Sequence, residues 1–119
     1  MLNLHKYGTD HPMTFHLANY ADNGTLYVGL LTNEEGYAEP WQNLTVNLNE
    51  SSRCKSFCAY IDTNNNGSEI IDWLVANNLG ELTDRYAFSG WCVYPEFAFD
   101  MDELMKHVTR DERRNVVVR

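Results

Sequence analysis

Phe57-Cys58-Ala59-Tyr60-Ile61 is an apolar, aromatic-rich run that ends abruptly in Asp62-Thr63-Asn64-Asn65-Asn66-Gly67. Ile70, Ile71, Leu74 and Val75 then recur at helical spacing up to Asn78. This reads as strand, polar turn and helix. The strand carries fewer polar positions than any other, which argues for a central place in its sheet. Everything else in the chain has to be arranged around that unit.

Before it, the pattern is of extended segments. Leu2 to Tyr7 makes a short strand ending at Gly8, and Met13 to Tyr20 places Phe15 and Leu17 on one face. Asp22-Asn23-Gly24 supplies residues that tolerate positive φ, so Leu26 to Leu31 pairs back as a hairpin. Glu34-Glu35-Gly36 is a second turn, and Trp41 to Leu48 reads as one strand with Leu44, Val46 and Leu48 on one side. At the helix start, Asn66 is expected to accept a first-turn amide hydrogen while Glu69 reaches back, with Glu69 and Asp72 at the positive end of the dipole. Gly80 is expected to supply the left-handed stop.

After the helix, Leu82 to Phe88 and Trp91 to Phe99 are extended segments broken at Ser89-Gly90. Pro95 cannot donate to a ladder and is expected at an edge or an end. Asp100 is placed to cap a short helix from Met101 to His107, and Val116-Val117-Val118 is a candidate edge strand. The expected fold is α+β: an antiparallel, strongly twisted sheet of about five to seven strands, one main helix on one face and a short C-terminal helix. A chain of 119 residues has room for one such domain, expected at 1–108, with a basic tail at 109–119.

The net charge of −8 is unevenly distributed. Residues 1–105 hold 15 acids against Lys6, Arg53, Lys55 and Arg85, whereas residues 106–119 hold five bases against Asp111 and Glu112. An acidic body repels a phosphate backbone and attracts a basic protein surface, so direct nucleic-acid binding by the body is not expected. No apolar run approaches the ~20 residues of a membrane helix, and the first residues lack a secretion signal, so a cytoplasmic protein without membrane contact is expected. Cys54, Cys58 and Cys92 are an odd set that implies no disulfide framework, and ordinary buried thiols are favoured over a zinc site. Four Asn-X-Ser/Thr triplets lack the secretory context that glycosylation needs.

Several segments, taken in order, resemble one bacterial family, the domain of unknown function numbered 4313. They are Gly24-Thr25-Leu26-Tyr27-Val28-Gly29-Leu30, Leu44-Thr45-Val46-Asn47-Leu48, Ile61-Asp62-Thr63-Asn64-Asn65, Asn78-Leu79-Gly80, and Ser89-Gly90-Trp91-Cys92-Val93-Tyr94-Pro95 with Phe99-Asp100. The similarity spans roughly 20–104. It implies a small α+β domain, carried largely by bacterial mobile elements and phages, with no catalytic residues to carry over.

The residues offer two classes of function. In the first, a non-enzymatic interaction domain without a cofactor or metal docks its acids Glu34, Glu35, Asp62, Glu69 and Asp72, with Asn64 also among the contacts, on a basic surface. On a mobile element this suits an inhibitor of a host restriction or CRISPR nuclease. In the second, a small ligand-binding or hydrolytic domain uses a pocket at the Asp62 turn, with Trp91, Tyr94 or Cys92 as walls. Against a catalytic site, Asp, Asn and Thr are what a strand-to-helix turn needs for its own backbone, and Ser89-Gly90-Trp91 lacks the flanking glycine pattern of a nucleophile elbow.

Overall fold

Leu44 is the joint of the molecule. Its amide donates to the Val28 carbonyl and its own carbonyl accepts from the Asp62 amide, each at 2.9 Å, so one residue is bonded into two sheets. A computed structural model describes residues 2–34 and 38–108. In it, β1 (Leu2–Lys6), β2 (Thr9–Asn19), β3 (Leu26–Thr32) and β4 (Glu39–Asn43) form one antiparallel sheet in that order. The second contains β5 (Thr45–Val46), β6 (Cys58–Ile61), β8 (Cys92–Phe99) and β7 (Gly80–Ser89), again antiparallel, in the order β5-β6-β8-β7.

The expected single sheet of five to seven strands is therefore two sheets of four. The expected strand Trp41 to Leu48 is where the difference arises. Alternation places Leu44, Val46 and Leu48 on one side, but the chain turns from the first sheet into the second at Leu44. Leu44 then enters the main core while Val46 and Leu48 pack on a separate cluster with Tyr60, Ala87 and Tyr94. Periodicity reports which side a residue faces, not which sheet that side belongs to.

The main core lies between the inner faces of the sheets and the helices. Met13, Phe15 and Leu17 of β2 oppose Thr32, Leu30 and Val28 of β3, and from the other sheet come Ala59, Ile61, Phe97 and Phe99. Each fully buried large side chain contributes about 1.5–3 kcal/mol relative to exposure. Helix α1 (Thr63–Asn66) is one turn, capped by Asp62, whose carboxylate accepts from the Asn65 amide at 3.1 Å. Helix α2 (Glu69–Ala76) buries Ile70 and Leu74. Trp73 meets the Phe15 ring at 6.2 Å and donates its indole N–H to the Asn3 carbonyl at 2.8 Å. Asp100 caps α3 (Met101–Met105), and the chain then lays Val108 beside Phe15 as a parallel bridge. The expected edge strand at Val116-Val117-Val118 falls outside the described residues.

Local expectations need two corrections. Asn66 does not cap α2: it is buried, and its amide donates to the carbonyls of Asn43 and Asp62, both at 2.9 Å, which ties the turn to the sheet joint. The left-handed position after α2 is Asn78, with φ of 62°, rather than Gly80. Gly80 is needed for closeness instead, since a Cβ there would stand 2.0 Å from the Ala98 carbonyl oxygen. Pro95 is at a local edge, as expected, although β8 as a whole is an inner strand. It is tolerated because it lies past Glu96, the last residue of β8 paired with β6, and beside the register shift in β7.

Candidate functional site

The hairpin of β7 and β8 is the part of the surface whose chemistry is least explained by folding. It turns at Gly90-Trp91, and Gly90 has φ of 58°, a conformation that costs glycine nothing. Phe88 stands opposite Val93, Tyr86 opposite Pro95 and Leu82 opposite Phe97, so these residues share one face. At the base that face is the main core, where Phe97 is buried. Further out nothing among the described residues covers it: Tyr86 is 54% exposed, Phe88 70% and Trp91, at the tip, fully exposed. Val93 and Leu82 are exposed beside them.

The opposite face of the same hairpin is filled. Ala87 and Tyr94 are buried against Tyr60, with Val46, Leu48, Cys54 and Cys92 around them. Burial pushes the Tyr60 hydroxyl upward in pKa. For Tyr94 a hydrogen bond with Cys92 is the main cause of an upward shift, with burial second. Both phenols stay neutral and packed, so the second cluster backs the hairpin and holds the aromatic face outward.

A buried carboxylate lies under the root of this hairpin. Glu96 is almost wholly buried, and accepts from the Thr83 hydroxyl at 2.6 Å and the Cys54 thiol at 3.0 Å. The Arg85 guanidinium stands 3.9 Å away. Burial, and then the bond to Glu96, push the Cys54 thiol up to about 12, and burial raises Cys58 as well. These thiols are kept protonated and are poor nucleophiles. Among the described residues no cluster of three His, Cys, Asp or Glu side chains is arranged to hold a metal ion.

The residues singled out from sequence do not converge. Asp62 is buried and spends its carboxylate on Asn65, whose backbone and side-chain N–H groups both donate to it. Asn64 is exposed on the same turn and Asp72 is exposed on α2. Glu69 pairs with Lys6 at 3.0 Å. A hydrogen bond from its own backbone, and then that lysine, hold its carboxyl below the usual range. Glu34 meets the His11 ring at 2.6 Å, on the first sheet. Glu35 lies outside the described residues. Trp91 is no pocket wall but the tip of the hairpin, and Tyr94 is beneath it in the second cluster. Tyr86, Phe88 and Val93 were not singled out, although their alternation with Ala87 and Tyr94 makes both faces of the hairpin apolar, which is a visible signal.

No helix among the described residues is long and apolar enough to cross a membrane. Residues 14–117 match the model of a family described as a domain of unknown function, DUF4313. The match takes in more than the segments from 20 to 104 that carry the resemblance, running through most of the basic C-terminal residues. No curated protein and no solved structure matches the chain.

Proposed function

The chain belongs to the DUF4313 family, and from that premise we propose that it works as a protein-interaction domain rather than an enzyme. Its docking element is the outer face of the β7–β8 hairpin. The observation that carries this reading is the row of Tyr86, Phe88 and Val93, exposed on one face with Trp91 exposed at the tip, while the other face is buried. Small soluble domains seldom leave large aromatic side chains in a row in water, and Trp and Tyr are the residues that dominate interface energies. A hairpin backed by its own core offers them with little ordering cost on binding.

The charge of the body selects the partner. Asp84 is exposed on β7, the strand that carries Tyr86 and Phe88, and residues 1–105 as a whole hold 15 acids against four bases. The fitting partner is a basic protein surface with an apolar groove, the kind of surface a nucleic-acid-targeting effector presents to its substrate. Together with the setting implied by the family, this favours an inhibitor of a host nuclease of restriction or CRISPR type. The protein would then act in the cytoplasm, without a cofactor and without touching nucleic acid itself.

Capture on immobilised protein from a bacterial host lysate tests it. A basic, nucleic-acid-binding partner is expected at ~50 mM salt and is expected to be largely lost at ~300 mM. It is also expected to be lost from a Phe88→Ser, Trp91→Ser variant of unchanged melting temperature. Capture that survives both changes removes the proposal.

A further inference from the structure

Beside the Asp62 turn lies a cavity of about 270 Å³ that belongs to neither the hairpin nor its backing core. Leu4 and Ile70 supply its apolar lining, Tyr7 and Trp41 its aromatic walls, and Gln42 and Asn65 bring amides to it. The two rings stand 6.3 Å apart, inclined by 42°.

Tyr7 is the unusual residue. It and Gly8 are the two central residues of the β1–β2 hairpin, with φ of 53° and 80°. Glycine and asparagine accept that conformation readily, whereas an aromatic side chain pays for it in backbone strain. The Tyr7 side chain is 85% exposed, so burial returns little of that cost. What Tyr7 gains is a position opposite Trp41 at the cavity. A strained and largely exposed residue, repaid only by its ring contact with Trp41, is a reason to look for a ligand.

The orientation of both amides is fixed by chemistry. Asn65 donates its side-chain N–H to the Asp62 carboxylate at 2.7 Å, and a carboxylate only accepts, so its carbonyl oxygen remains as an acceptor. The Gln42 oxygen accepts from the Asn43 amide at 3.1 Å, which leaves its NH₂ as a donor. A donor from Gln42 and an acceptor from Asn65 beside aromatic walls match a flat ring whose edge carries both; His5, Lys6 and Glu69 also line the cavity. The cation at the site is already answered, because Lys6 donates to the Glu69 carboxylate at 3.0 Å and to the Asn66 carbonyl at 3.4 Å.

We propose that this cavity binds a neutral, planar nitrogen heterocycle of the nucleobase type, packed on the contacting Tyr7–Trp41 ring pair and read at its edge by Gln42 and Asn65. The ligand comes as a free base or nucleoside, since the acidic body disfavours a phosphate or a strand. This site is independent of the docking reading, and Phe88→Ser with Trp91→Ser is expected to leave it intact.

The test is an ¹H–¹⁵N titration with adenosine, adenosine monophosphate and a deoxyadenosine hexamer. Adenosine is expected to shift the Trp41 indole and the Asn65 and Gln42 side-chain signals saturably, with the monophosphate and hexamer several-fold weaker at low salt. Trp41→Ala is expected to weaken adenosine by roughly tenfold or more. Tyr7→Asn is expected to weaken it as well while raising the melting temperature, which separates a ligand role from a folding role even where Trp41→Ala disturbs the fold. Absent or unsaturable shifts, equal or tighter binding of the monophosphate or hexamer, or a Tyr7→Asn variant that binds adenosine as before would each overturn the proposal.

Discussion

Cys54 and Glu96 show how a buried charge is made tolerable in this protein. Removing a carboxylate from water costs several kcal/mol unless donors replace the lost hydration. Glu96 obtains a hydroxyl and a thiol donor at hydrogen-bond distance. Thr83→Val removes the shorter bond and is expected to cost about 1–3 kcal/mol in urea unfolding. The thiol gives a second prediction. Its value is raised from 9.0 to about 12 on folding, so near pH 8 its thiolate fraction falls roughly a thousandfold. Cys54 should alkylate far more slowly in the native protein than in urea, and equal rates would refute the buried pairing. The folded state here favours the protonated form. The contribution is thus complete below pH 9 and lost as pH rises towards 12, and Cys54→Ala should flatten that part of the stability profile. At this scale the sequence was informative about turn residues and silent about pairs. Asp62 and Asp100 were readable as caps, but nothing in the spacing joins Glu96 to Cys54 across 42 residues.

Among the elements, the stretch from Phe57 to Asn78 was legible because each part carries its own local cause: an apolar strand, a capped turn and an amphipathic helix. β6 is indeed an inner strand of its sheet. The strand through Trp41 to Leu48 was misread because its division depends on Leu44 meeting Val28 and Asp62, both remote in sequence. Leu44→Ala should therefore be costly for its size, about 2–5 kcal/mol, since it opens a hole where the two sheets meet. Gly80→Ala should cost about 1–3 kcal/mol or more through the clash with the Ala98 carbonyl. A conventional αL cap at Gly80 would lose only about 1 kcal/mol, so the denaturant midpoint of Gly80→Ala separates the close-approach account from the capping account.

For the whole molecule, alternation along Tyr86 to Val93 says that both faces of the hairpin are apolar, but which of them the rest of the chain covers is decided only by the partition into two sheets. The second core takes Ala87 and Tyr94, and the main core ends at Phe97, so the outer aromatic row has no cover among the described residues. Net charge was legible from the start, but side-chain contacts redistribute it: Glu69 is engaged by Lys6 and Glu34 by the His11 ring, whereas Asp84 on β7 lies exposed. Docking through the hairpin is most directly measured with a photo-crosslinking residue at Phe88 and, as a control, at exposed Thr9, in host lysate at low salt. The account predicts an adduct with a basic protein from position 88 alone, abolished by Trp91→Ser and weakened by salt. Equal adducts from both positions, or none from position 88, would contradict it.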